Sequence, residues 1–181
     1  MKFLNLPNTL TISRLFAVPF CCYALFKNGG DDWGWQIIAW TGFFLVGLTD
    51  FLDGRIARSR KQITSFGTFL DPVADKVAIG AAMVGLSMQG KLWWWVTILI
   101  LVREVSVTIL RLTVIKEGVI PASKGGKLKA AFQGFGVGFY ILPLPTWLHI
   151  PRDAFMAVAI YLTIKTGYDY FKNVIKKSEA L

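Results

Sequence analysis

Residues 33–61 read WGWQIIAWTGFFLVGLTDFLDGRIARSRK. From Ile37 to Leu52 the run is almost continuously apolar and shows no alternation of apolar and polar residues. That pattern suits a helix, whereas a barrel strand would need only about 10 alternating residues. The run opens on Trp33 and Trp35, meets Asp50 and Asp53 near its end, and passes into Arg55, Arg58, Arg60 and Lys61. Amphipathic rings at one end and basic residues at the other mark a membrane span whose basic end faces the cytoplasm. Outward from this segment the chain shows six apolar stretches, near 10–26, 33–54, 70–90, 92–115, 130–149 and 153–172. The expected fold class is an all-α integral membrane protein of six transmembrane helices, forming one domain over 1–181. Met1–Asn8, which alternates apolar and polar residues after Lys2, is expected to be a short amino-terminal interfacial segment.

Composition supports this reading. Residues of the apolar and aromatic types make up 54% of the 181 positions, and mean hydropathy is +0.51. A solvated, disordered chain carries far less apolar matter. Cys21 and Cys22 are the two cysteines and are neighbours, which excludes a disulfide scaffold. The net charge of +9 does not point to nucleic acid, because no water-exposed basic domain accompanies it. Instead the basic residues segregate. Twelve of them (Lys2, Arg55, Arg58, Arg60, Lys61, Lys116, Lys124, Lys127, Lys129, Lys172, Lys176 and Lys177) fall on one side of the six stretches, and three (Lys27, Lys91 and Arg152) on the other. Both termini are therefore expected in the cytoplasm of a multi-pass cell-membrane protein. Trp33, Trp35, Trp93, Trp94, Trp95 and Trp147 then fall at the outer interface. The longest polar connection, Lys116–Lys129, contains Pro121, Gly125 and Gly126 and reads as a cytoplasmic loop.

Four aspartates interrupt the apolar runs. Each charge costs about 2.5–3.5 kcal/mol near the centre of a span. Asp50 and Asp53 stand three apart, Asp71 and Asp75 four apart, so each pair shares a helix face near the cytoplasmic end. Four converging carboxylates would repel one another or protonate. Two divalent cations match their charge, and all-oxygen ligation favours Mg²⁺ or Mn²⁺. The alternative is that the acids cap helices or pair with Arg55, Arg58 and Lys76. Gly54 and Ala57 lack bulk beside the acids, which lets a ligand or another helix approach. Arg58, two turns from Asp50, suits a phosphate or the lipid headgroup region. Arg103 and Arg111 lie inside the fourth apolar run, where the choice is between a substrate anion and an ion pair with Glu104.

Written out, the acidic region is Asp50-x2-Asp53-Gly54-x2-Ala57-Arg58-x8-Gly67-x3-Asp71-x3-Asp75. This resembles the full eight-position signature of the CDP-alcohol phosphatidyltransferase family. Leu6-Pro7-Asn8-x-Leu10-Thr11-x2-Arg14 resembles the family's amino-terminal segment. Phe66-Gly67-x2-Leu70-Asp71-Pro72-x-Ala74-Asp75-Lys76, Arg103-Glu104-Val105-x-Val107-x2-Leu110-Arg111 and Gly126-Lys127-x-Lys129-x3-Gln133 resemble members of the family that act on glycerol 3-phosphate. The matches cover residues 6–133.

The resemblance implies the CDP-alcohol phosphotransferase fold, a homodimer in the lipid bilayer, and an active site open to the cytoplasm. It implies transfer of the phosphatidyl group of CDP-diacylglycerol to glycerol 3-phosphate with release of CMP. On this chain Asp50, Asp53, Asp71 and Asp75 would hold two divalent cations. Asp50, Asp53, Gly54, Ala57 and Arg58 would line the cytidine-diphosphate pocket, and Asp75 would take the proton of the attacking hydroxyl. Arg111, helped by Arg103 and Lys127, would hold the acceptor phosphate. A cardiolipin synthase or an inositol-phosphate transferase of the same family would differ in the acceptor pocket. A cation transporter would instead carry polar residues through the whole membrane depth, whereas here the acids cluster on one side.

Overall fold

The computed structural model describes the backbone of residues 6–60, 65–114 and 124–178. Among the described residues six α-helices follow one another: α1 (Leu6–Phe26), α2 (Trp33–Arg60), α3 (Ser65–Met88), α4 (Trp94–Val114), α5 (Lys124–Ile141) and α6 (His149–Ser178). Short 3₁₀ turns cover Lys27–Gly30 and Thr146–Leu148. There is one helix for each apolar stretch, though several boundaries differ; α2 and α6 run six residues further, to Arg60 and Ser178. The fifth stretch was expected to run to 149, but α5 stops at Ile141 because Pro143 and Pro145 withdraw backbone donors and disfavour helix before them. Residues 124–129, expected in a loop, form the start of α5; residues 115–123 lie outside the described residues. Of the amino-terminal segment, Leu6–Asn8 already belong to α1.

The helices pack as two compact units, 1–92 with 137–144, and 93–136 with 145–181, so that α5 contributes to both. In the first unit α1 packs along α2 and α3, and α2 packs on α3. One core layer joins Val18 and Cys21 of α1, Val46 of α2 and Ala78 of α3. Two glycines permit the close approach. A Cβ at Gly42 would stand 2.7 Å from the Cys21 Sγ, and one at Gly85 would stand 2.8 Å from Leu25 Cδ2. In the second unit α4 packs on α6, Phe132 of α5 stacks on Phe155 of α6 at 4.6 Å between ring centres, and Ile100, Met156 and Ala159 are buried.

The α1–α2 connection is a built corner. Asn28, Gly29 and Gly30 take left-handed φ values of 53°, 76° and 82°, which glycine adopts freely and asparagine tolerates. Gln36 Nε2 donates to Gly30 O at 2.7 Å, and Lys91 Nζ donates to the same oxygen while pairing with Asp31 at 3.1 Å. Gln89 Nε2 donates to Leu25 O at 2.7 Å, which ties the end of α3 to the corner. Asp32 caps α2: its Oδ1 accepts from Trp35 N at 3.0 Å and its Oδ2 from Asn28 Nδ2 at 3.2 Å. The backbone donor at Trp35, then Asn28, holds the Asp32 carboxyl below its ordinary value.

The sides of the helices invert the usual partition. Ile98, Val102, Val105 and Ile109 of α4, spaced i, i+4, i+7 and i+11, are each 55–58% exposed. Arg14, Thr97, Lys129, Gln133 and Thr163 are buried. Among the described residues no helix is both long and apolar enough to cross a membrane. Charges interrupt the apolar runs, among them Arg14 in α1, Arg103 and Glu104 in α4, and Lys165 in α6.

At Gly29 there is open space for a Cβ, whereas at Gly30 it would overlap the Gln89 carboxamide. Gly29→Ala should therefore cost about 1–2 kcal/mol from left-handed backbone alone. Gly30→Ala should cost about 1 kcal/mol more, since Gln89 then loses its bond to Leu25 O. Chemical unfolding of both variants, repeated in a Gln89→Ala background, measures the difference; the surplus at Gly30 should vanish there. The Asp32 cap should show in the pH dependence of stability. Its contribution is complete above the ordinary value of 3.8 and is lost as pH falls through the lowered native value. The stability difference between the wild type and Asp32→Ala should therefore close in acid.

Candidate active site

Helix register brings the signature positions to one end of the first unit. Asp50 lies four residues beyond Val46 on α2, and Ala74 and Asp75 lie next to the corresponding turn before Ala78 on α3. Asp53 and Asp71 each stand seven residues from the same core layer. At 1.5 Å per residue, all four acidic positions fall within about 4–11 Å of that layer along the helix axes. Gly54, Ala57 and Arg58 continue α2 past them. The side-chain surroundings of Asp50, Asp53, Ala57, Arg58, Asp71 and Asp75 are outside what the structure describes, so their place in the fold, like that of Gly54, is given by the backbone. Among the described residues no group of three or more His, Cys, Asp or Glu gathers.

α1 adds a residue to which sequence reasoning assigned no role. Arg14 stands four residues before Val18, on the same layer as Asp50 and Ala74, and is 3% exposed. Thr11, 1% exposed, is almost one turn further toward the same end. Thus the amino-terminal motif Leu6–Arg14 and the acidic signature, far apart in the chain, share one end of a three-helix unit. The signal in the sequence was an arginine within an apolar run, where an unmatched charge is costly.

The second unit holds a charged cluster of its own. On α4 the face opposite the exposed stripe carries Arg103, Glu104, Val107 and Thr108. Arg103 Nη1 donates to Glu104 Oε1 at 2.9 Å, and Lys129 Nζ of α5 donates to the same oxygen. Arg103 Nη2 donates to Thr166 Oγ1 of α6 at 2.8 Å. The side chains of Arg103, Glu104 and Lys129 are 15%, 12% and 8% exposed. Thr108 Oγ1 donates to Glu104 O at 2.7 Å.

The structure thus brings Arg103 to Glu104, together with Lys129 rather than Lys127. The register of α5 explains the choice. Lys129, Gln133 and Val137 follow one another at i, i+4 and i+8 on the buried face, while Lys127 points to an exposed one. The side chain of Arg111, one turn past Val107 on α4, lies outside the described residues. Thr166 had no signal in the sequence, because its partner is 63 residues away.

The donor set at the end of α2 and α3 fits hard divalent cations: four carboxylates from two packed helices, all oxygen, with no sulfur or imidazole among the signature positions.

These features define a class of protein. A family model described as CDP-alcohol phosphatidyltransferase matches residues 4–165, and the chain belongs to that family. Within it, the chain is 49% identical to the probable phosphatidylglycerophosphate synthase of Mycobacterium tuberculosis H37Rv over 172 residues, 95% of this chain and 82% of that protein. It is 37% identical over 174 residues to the CDP-diacylglycerol–glycerol-3-phosphate 3-phosphatidyltransferase of Rickettsia felis, covering 93% of this chain and 94% of that one. Against the Bacillus subtilis protein of the same name the identity is 33% over 184 residues, at 93% and 94% coverage.

Removing the shared carboxylate tests the second cluster. Glu104→Ala leaves the Arg103 and Lys129 charges facing each other without it, and should destabilise the protein by about 3–5 kcal/mol. Lys129→Met with Glu104→Met should restore much of that loss. Denaturant titration of the purified variants measures both.

Proposed function

We propose that the protein transfers the phosphatidyl group of CDP-diacylglycerol to glycerol 3-phosphate, giving phosphatidylglycerophosphate and CMP. The observation that carries this is the placement of the complete acidic signature at one end of the packed helices α1, α2 and α3. The names of relatives aligned over nearly the whole chain support the acceptor.

In this reading Asp50, Asp53, Asp71 and Asp75 hold two divalent cations, Mg²⁺ or Mn²⁺. Cations held there would supply positive charge to the pyrophosphate and to the departing CMP, the main electrostatic task in transfer at phosphorus. Gly54 and Ala57 leave room for the cytidine-diphosphate backbone, and Arg58 meets its phosphates. Asp75 accepts the proton as the glycerol 3-phosphate hydroxyl attacks the phosphatidyl phosphorus. The bond from that phosphorus to the CMP oxygen breaks, and CMP leaves with the electron pair. Arg14, buried at the layer of Asp50, adds a fixed positive charge beside the acids. Arg111, Arg103 and Lys127 serve the acceptor phosphate, with Lys129 joining Arg103 through Glu104.

The same reading makes α1 to α6 six membrane spans of a single domain, as a homodimer in the cell membrane with termini and active site on the cytoplasmic side. The exposed apolar stripe of α4 and the buried polar residues of the helix interiors support a lipid-facing surface. The twelve-to-three segregation of basic residues supports the orientation.

CMP release from CDP-diacylglycerol, measured with and without glycerol 3-phosphate and with and without Mg²⁺, tests the proposal. Release should require both. Asp→Asn at any of the four positions should remove most turnover, by a factor of about 10² or more for Asp75. Full activity of Asp71→Asn without added metal would overturn the two-cation reading. Release with inositol phosphate or phosphatidylglycerol in place of glycerol 3-phosphate would reassign the acceptor.

A further inference from the structure

We propose that Thr166 of α6, with Gly167 beside it, is a positioning residue that sets the Arg103 guanidinium for the acceptor phosphate; the inference rests on the acceptor reading above. Three observations carry it. The first is the polarity of the Thr166 hydroxyl. Its single proton is committed to its own helix: Oγ1 donates to Leu162 O at 2.7 Å. The lone pairs are left to accept from Arg103 Nη2 at 2.8 Å. A hydroxyl tied back in this way is a fixed acceptor, not a rotor, and it holds one terminal nitrogen in place.

The second is the pattern of donors on Arg103. A guanidinium carries five N–H groups in a planar fork. One, on Nη1, goes to Glu104 and one, on Nη2, goes to Thr166. Nε is buried and has no hydrogen-bond partner among the described residues. An arginine free to satisfy its own donors would not leave Nε so, which means that the bonds to Glu104 and Thr166 impose the orientation. Among the described residues Nη1 and Nη2 each make one of these bonds, which leaves donor capacity on the guanidinium for a phosphate oxygen.

The third is Gly167. A Cβ at that position would stand 3.2 Å from Arg103 Nε and 3.3 Å from its Cγ. The bare backbone lets the stem of Arg103 lie against α6, and a methyl there would push it by a few tenths of an ångström. Thr166 and Gly167 lie just past residues 4–165, over which the family model matches, and α6 supplies through them both the bond and the space that place this cation.

The test uses purified full-length protein and separates the two substrates. Thr166→Val keeps the shape and removes the acceptor oxygen. It should raise KM for glycerol 3-phosphate about tenfold, with KM for CDP-diacylglycerol unchanged within about twofold. Thr166→Ser, which keeps the hydroxyl, should restore the wild-type value. Gly167→Ala should act in the same direction as Thr166→Val, and carries the test if that variant does not fold. A purely structural role would lower the melting temperature and leave the acceptor KM alone. If Arg103→Ala raises the acceptor KM while Thr166→Val and Gly167→Ala do not, positioning by α6 is overturned and the acceptor reading stands. If Arg103→Ala has no effect in an enzyme active with glycerol 3-phosphate, the inference and the role of Arg103 fall together. No CMP release from the wild type with glycerol 3-phosphate would overturn the function on which both rest.

Discussion

A charge among apolar helices costs several kcal/mol unless something of opposite sign meets it, and this constraint organises the protein. It acts twice. In the first unit, four acidic positions gather at one end of α2 and α3, and α1 places a buried arginine on the same layer. In the second, two cations share one carboxylate between α4 and α5, with α6 adding a hydroxyl. The two solutions differ in kind. Glu104 offsets one of the two positive charges of Arg103 and Lys129 within the protein. The four acidic positions outnumber the buried arginine of α1 on the same layer, and in the proposed function divalent cations supply the balancing positive charge.

The same constraint explains the inverted surface. Apolar side chains such as Ile98, Val102, Val105 and Ile109 line the outside of α4, while Thr97 and Thr163 are buried. Buried threonines satisfy themselves locally, as Thr163 Oγ1 does by donating to Ala159 O at 2.7 Å. Interiors built this way pack through small residues and short polar contacts. Gly42 against Cys21 and Gly85 against Leu25 are the instances in the first unit, and Gly167 against Arg103 in the second. The position of every polar group then depends on a neighbouring backbone being near, so glycine placement governs chemistry at a distance along the chain.

Much of this was legible in the sequence, for reasons that also mark where legibility ends. Continuous apolar runs announce helices whatever their partners, and all six were located from them. Helix ends depend on local chemistry that a hydropathy reading overlooks. The prolines at 143 and 145 stop α5 well before the apolar run itself ends, and the polar Lys124–Lys129 joins a helix because its Lys129 and Gln133 face can be buried. The acidic positions were legible because their spacing matches the helical period on two successive helices. The sequence left Arg103 between a substrate anion and Glu104; the structure shows the ion pair, made through one N–H of Nη1. Thr166 and the choice of Lys129 over Lys127 depend on which faces meet across elements, which no single segment encodes.

A held cation also bears on selectivity for the acceptor. A flexible lysine attracts any anion about equally, since its ammonium is a point charge on a long stem. An arginine fixed by two neighbours offers donors in one plane and at one spacing, and so favours a tetrahedral phosphate seated to match. A neutral alcohol gains nothing from that fork and leaves its donors unmatched, a penalty of the order of 1–3 kcal/mol per buried group. In the proposed reaction, discrimination for glycerol 3-phosphate then arises from the rigidity of Arg103 and not from the number of basic residues in the chain. On this argument the exposed Lys127 contributes attraction at long range, reduced by salt, whereas Arg103 contributes geometry that salt does not screen.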